Sequence, residues 1–263
     1  MSANRNENTF ESDSSQPARA VQLPLTSRVD ELLLSTLNGA TPLTIADVIL
    51  RMQELDASLP GNDGLKWFNR LYLMVTQQVD LQPPGGAWKS PLWLTRLDVV
   101  FAGFYFDAVR NSLTGNAVPA AWSVLFDARN RSGIDRIQFA LAGMNAHINH
   151  DLALALAATD SEMGISPMLT SPEHADYESV NELLSALMPA TLTMLASDTL
   201  GVLAEDTGKI GRLLAFWNII AARDLAWDFS GHLRSLNGIS QILALKAQDA
   251  MTGALGHALL AAV

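Results

Sequence analysis

Cysteine is absent from all 263 residues. Disulfides, iron–sulfur clusters, thiolate zinc sites and a cysteine nucleophile go with it. Charge is sparse, at 17% Asp, Glu, Lys and Arg. The 17 Lys and Arg form no basic stripe, which argues against a nucleic-acid partner. Long apolar runs are missing too. The longest markedly apolar uncharged stretch, Leu183 to Ser197, contains Pro189 and falls short of the roughly 20 residues of a spanning helix. No membrane insertion is expected. Met1 to Pro24 lack the continuous apolar core of a signal peptide. Their Asn, Ser and Glu content reads as a flexible tail over residues 1–24. With no cysteine, the expected location is cytoplasmic.

What is present is globular in character. The hydrophobic fraction is 49% and the net charge −10, the latter mainly a matter of solubility. Apolar residues recur with helical spacing, and few β-branched runs alternate with period two. A first helix is expected over about Ser27 to Leu37, and Thr44 can cap a second that stops at Pro60-Gly61. A third starts at Asn62 or Asp63 and runs to about Leu81, before the break Pro83-Pro84-Gly85-Gly86. Ser90-Pro91 opens a long helix to about Ser112, with proline in its first turn. Pro119 opens another to about Asn130. The central candidate spans Ile134 to Ala158, followed by a loop from Thr159 to Ser171. Pro172 starts a helix to about Ser197, with a kink expected near Pro189. Lys209 to Leu236 and Ile239 to about Leu260 complete the set. The expected fold is all-α: an irregular bundle of about eight or nine helices around a buried central helix. Residues 25–263 read as a single domain without an internal repeat.

Placing each helix at 100° per residue shows which polar groups share apolar faces. Asp98 shares a face with Leu94, Phe101, Ala102, Tyr105 and Val109. In the central helix, His147 and Asp151 are i and i+4, on one face with Ala140, Gly143, Met144 and Leu154, and His150 borders that face. Asn145 and Asn149 are i and i+4 on the opposite face. This helix is therefore apolar nearly all round, with one polar band in its middle. Arg223 shares its stripe with Phe216, Ile219, Ile220, Trp227 and Ser230. A permanent cation in apolar company is expected to meet a carboxylate, and Asp151 and Asp98 are the candidates.

Several readings of these residues stay open. Asp98, Asp151 and Arg223 suit a buried ion-pair network that fixes helix register. Asn145 and Asn149 suit amides bridging neighbouring helices. His147 with Asp151 has the i, i+4 spacing of a metal pair, His150 being a third possible ligand. His174 could add another, or lie exposed in the first turn of its helix. Alternatively, His147 or His150 is a general base oriented by Asp151. No Gly-x-Ser-x-Gly elbow, phosphate loop or dinucleotide fingerprint is present. Trp67, Trp93, Trp122, Trp217 and Trp227 either fill the core or line an apolar pocket.

The stretch Gly143-Met144-Asn145-Ala146-His147-Ile148-Asn149-His150-Asp151-Leu152 resembles the signature of a domain-of-unknown-function family of helical proteins from bacteria and some fungi. Leu97-Asp98-Val99-Val100-Phe101-Ala102 with Tyr105, and Ala222-Arg223-Asp224-Leu225-Ala226-Trp227, fit the same resemblance. It implies one helical domain with these positions as hallmarks, and no established reaction. A looser similarity to zinc-dependent helical phospholipases and nucleases rests on the His-x-x-x-Asp pair alone.

The leading expectation is an enzyme acting on a small, largely apolar molecule between helices, by hydrolysis, cyclisation or isomerisation, for instance in specialised metabolism. His147 serves as acid, base or metal ligand, and Asp151 orients it. Tyr105 donates a hydrogen bond, and Arg223 holds an anionic group or neutralises the carboxylates. Asp98, His150 and Trp227 contact substrate. No cofactor is established, a divalent metal at His147, His150 and Asp151 being the alternative. The competing expectation is a non-catalytic helical ligand-binding or interaction protein whose polar band only locks the core.

Overall fold

The computed structural model describes residues 27–81, 86–195 and 218–261, with Met1. The tail read over residues 1–24 and Trp217 lie outside the described residues, Met1 apart. Helix starts follow local chemistry. Ser27 caps α1 (Arg28–Leu37) by accepting from the Asp30 N–H. Thr44 and Asp47 form a capping box at the head of α2 (Ile45–Ser58). Asp63 caps α3 (Gly64–Asp80). Next come α4 (Pro91–Leu113) and α5 (Ala120–Ala128). The central helix, α6, has an α-helical first part, Arg136–Ala146, a π-helical turn, His147–Asp151, and an α-helical second part, Leu152–Met163. It is followed by α7 (Pro172–Leu195), α8 (Ile219–Ser235) and α9 (Gly238–Ala261). With α6 as one helix, the described residues form nine helices and no strand.

Burial makes α6 the axis of the bundle. Every residue from Ile137 to Ala146 is buried. The first part packs on α3, α5 and α9, and the second on α4 and α8. Close approach to α3 needs glycine on both helices. A Cβ on Gly143 would fall 2.4 Å from the Phe68 ring, and one on Gly64 would fall 2.3 Å from the Phe139 ring. Gln138 pins the far end of α9 by donating to the carbonyls of Leu259 and Leu260.

Three boundaries differ from the sequence expectation. The loop expected from Thr159 begins only after Met163, because Gly164, at φ +66°, supplies the left-handed residue that ends the helix. Thr159 and Asp160 are helical and buried; Asp160 accepts from Trp93 Nε1 at 2.9 Å and pairs with Arg234. The helix expected from Lys209 starts at Ile219, where Asn218 has extended backbone and caps the Ile220 and Ala221 N–H groups. Residues 209–217 lie outside the described residues. The third difference is the π-turn inside α6, which uniform 100° spacing cannot represent.

Candidate functional site

The π-turn coincides with the polar band. The Leu152 N–H reaches back five residues to the His147 carbonyl, widening the helix by one residue there. Asp151 then faces two histidines at once. His147 Nδ1 lies 3.0 Å from Asp151 Oδ2, and His150 Nδ1 lies 2.8 Å from Oδ1. Trp122 of α5 donates its Nε1–H to Oδ2 at 2.9 Å. Burial pushes the Asp151 carboxyl up, but the hydrogen bonds from His147 and His150 outweigh it and hold the group below the usual carboxylate range. Asp151 is therefore an anion that accepts all three N–H groups.

This fixes the tautomer of His147. Its Nδ1 carries the proton given to Asp151. Burial pushes the imidazole below its ordinary value, against the upward pull of Asp151, so the ring is neutral at pH 7. Nε2 then bears a lone pair, and it is buried without a hydrogen-bond partner. Aromatic rings close around it. Phe101 stacks on the imidazole face at 3.5 Å between centroids and 6° between planes. Tyr72 meets it edge-on at 4.4 Å, with Phe68 at 5.6 Å, Trp122 at 6.0 Å and Tyr105 at 6.3 Å. His147 itself is fully buried.

Other polar atoms in this neighbourhood also lack partners. Among the described residues six buried side-chain polar atoms have none, and four are Tyr72 Oη, Thr76 Oγ1, Asp98 Oδ2 and His147 Nε2. The Tyr72 hydroxyl lies beside Thr76, one turn on, without the geometry of a hydrogen bond. Burial and the charges of Asp98 and Asp151 push the Tyr72 phenol well up. Burial, with the charge of Asp80, pushes Asp98 to about 7. Asp98 thus lies on the cage side of α4, as its apolar face implied, but among the described residues it pairs with no cation to offset its burial.

The remaining expected site residues go elsewhere. The Tyr105 hydroxyl donates to Asn69 Oδ1 at 3.1 Å, so its ring walls the cage while its polar end faces away. Arg223 does not meet Asp151 or Asp98. It donates through Nε to Asn181 Oδ1 at 2.7 Å and through Nη2 to the Tyr177 carbonyl, with its guanidinium 4.1 Å over the Tyr177 ring. An amide, a carbonyl and a π-face satisfy the cation as a carboxylate would. Trp227 packs there too, on Tyr177, His174 and Trp93. Asn145 and Asn149 tie α6 to α9. Asn149 donates to Asn145 Oδ1 at 2.9 Å, and Asn145 donates to the Thr252 carbonyl at 2.9 Å. The Asn149 carbonyl accepts from Gln248 Nε2 at 2.6 Å. Tyr72, Thr76 and Phe68 were missed by sequence reasoning. Their helix reads as an ordinary amphipathic one, and only the buried hydroxyl pair at i and i+4 marks it.

His150 is buried beneath α9, its Nε2 3.8 Å from Asp249 Oδ1. Asp249 in turn caps α5 through the Ala120 and Ala121 N–H groups, both at 2.9 Å. Among the described residues no three His, Asp or Glu side chains converge as a metal cluster, and no helix is long and apolar enough to cross a membrane. On the far side of the π-turn, α8 and α9 enclose an open cavity of about 560 Å³ over Asn149, Phe229, His232, Gln248, Met251 and Thr252.

No curated protein and no solved structure matches the chain. One family model does, over residues 45–262, from the start of α2 to just past the end of α9 and across the whole His147 cage. The chain belongs to that family, DUF5995, described as a family of unknown function.

Proposed function

We propose that the protein is an enzyme that performs acid–base chemistry on a small, largely apolar molecule, with His147 as the base. One observation carries this reading: His147 Nε2 is a buried lone pair without a partner, while its other nitrogen is held by an anionic carboxylate. A neutral imidazole oriented in this way takes a proton at Nε2, and Asp151 stabilises the imidazolium that forms. A buried polar atom left without a partner costs about 1–3 kcal/mol, so a purely structural histidine would be expected to find one. The π-turn supports the same reading, since such turns recur at functional positions. Asp98, near 7, is available as acid or base at neutral pH. The aromatic walls suit an apolar substrate body. Hydrolysis, cyclisation and isomerisation all use such a base. Arg223 and Trp227 are not part of this site, and Tyr105 serves as wall.

The test compares wild type with His147→Gln, after matching their folds by circular dichroism. Each is incubated with a pooled small-molecule extract, and consumption and formation are followed by mass spectrometry. Compounds turned over by wild type alone support the reading. An identical profile for both proteins refutes it.

The cavity between α8 and α9 favours a second reading, a ligand-binding protein that performs no chemistry. It predicts compounds that raise the melting temperature of wild type and not of Ala247→Trp, which fills that cavity. Hits that stabilise both equally would remove this reading.

A further inference from the structure

Five aromatic rings surround His147, and they differ in one respect. Phe68, Tyr72, Tyr105 and Trp122 are buried and meet the imidazole edge-on or tilted. Phe101 is half-buried and lies flat on it. A single ring, packed on the outer layer of the core, therefore covers the face of the base. Four of the unpartnered polar atoms belong to the same neighbourhood. Asp98 lies one turn before Phe101 on α4, and Tyr72 is 5.8 Å from Phe101 and 4.4 Å from His147 between centroids. Thr76 follows Tyr72 by one turn. The closed arrangement leaves all four without hydrogen bonds, an unfavourable state that a polar guest would relieve.

We propose that Phe101 is a door, and that the place it leaves on the face of His147 binds a small molecule with a flat conjugated ring carrying a hydroxyl or N–H group. The slot sets the shape. Phe101 lies in van der Waals contact with the imidazole, 3.5 Å away and 6° from parallel, so a flat ring that takes its place restores the whole contact, whereas a puckered saturated ring restores only part of it. The lining sets the polarity. His147 Nε2 accepts a hydrogen bond, as does ionised Asp98, and the Tyr72 and Thr76 hydroxyls donate or accept. The Nε2 lone pair lies in the imidazole plane, so a stacked guest meets it only through a substituent that reaches past the imidazole edge, while Asp98 and the Tyr72 hydroxyl serve a polar group on the ring itself. This inference rests on the reading of His147 as a base, but binding and turnover fail separately. A protein that binds flat rings here and turns over nothing would keep the seat and lose the enzyme.

Diethyl pyrocarbonate, which carbethoxylates neutral imidazole nitrogen, reports on the door directly. Labelling of each histidine and of Lys89 in the full chain is followed by peptide mass spectrometry, with exposed His257 and Lys89 as internal references. Millimolar phenol is expected to slow labelling of His147 and not of the references, while cyclohexanol, the same hydroxyl on a puckered ring, does not. Phe101→Leu is expected to speed His147 labelling by roughly tenfold relative to the references. Phe104→Leu, also half-buried on α4 but not stacked on His147, leaves it unchanged. Equal effects of phenol and cyclohexanol, or no effect of either, overturn the proposal. So does a folded Phe101→Leu protein that labels like wild type. The protection measurement needs no substitution, so it decides the matter even if that variant does not fold.

Discussion

Asp151 accepts from three ring N–H groups, and its removal strands all of them in the core. Asp151→Ala should therefore destabilise the protein by about 3 kcal/mol or more, measurable as a lower midpoint in chemical denaturation. An effect of a few tenths would mean that the carboxylate does not organise the two histidines. Asp98 and His147 give opposite dependences on pH. Asp98 rises from 3.8 to about 7 on folding. The folded chain holds that proton more tightly, so the contribution of Asp98 is complete below its unfolded value and is lost as pH climbs to about 7. His147 is lowered on folding. Its contribution is complete above about 6.5, the free imidazole value, and is lost as pH falls below it. Asp98→Asn, which has no charge to bury, should raise the melting temperature more at pH 8 than at pH 5. Equal gains at both would show that the proton on Asp98 plays no part.

At the scale of elements, the contact between α3 and α6 rests on glycine. Gly143→Ala drives a methyl against Phe68, which is fully buried and touches His147. A cost of roughly 1–3 kcal/mol is expected, and a double-mutant cycle with Phe68→Ala, which removes the Cγ and the ring that the methyl meets, should show coupling between the two losses. Additive losses would mean that the two residues do not meet. The helix starts were legible because caps are local: Ser27, Thr44 and Asp63 satisfy N–H groups within three residues of themselves. The end of α6 was not, because Thr159 and Asp160 resemble loop residues until Trp93 and Arg234 are brought to Asp160 from distant sequence. The partner of Arg223 was misjudged for a related reason. Electrostatics calls for an acceptor but does not require a charged one, and Asn181 and the Tyr177 carbonyl supply it.

For the whole molecule, the buried central helix was readable because α6 is apolar on every side, and only a position inside the bundle accommodates that. Its amides from Ala140 to Leu156 should be the slowest among the described residues to exchange with deuterium, since they lie past the unpaired first turn and helices pack on them from all directions. Faster exchange there than in α1 would contradict a core centred on α6. The candidate site was half legible. His147, Asp151 and Asp98 stand out as polar groups on apolar faces. Tyr72 and Thr76 do not, because a tyrosine and a threonine on an amphipathic helix look like any others until their hydroxyls are found without partners.

The π-turn carries one more consequence. It amounts to a single supernumerary residue, so the two parts of α6 are read in different frames, offset by one step of about 100°. Up to Ala146 the helix is phased to α3, α5 and α9, and from Leu152 it is phased to α4 and α8. Deleting Ile148 should therefore return the turn to ordinary α-helix, with the His147 carbonyl still accepting from the Leu152 N–H and both parts still facing their partners. The same deletion inside an α-helical part, at Ala140 or Ala155, would instead turn every residue beyond it about 100° off its face.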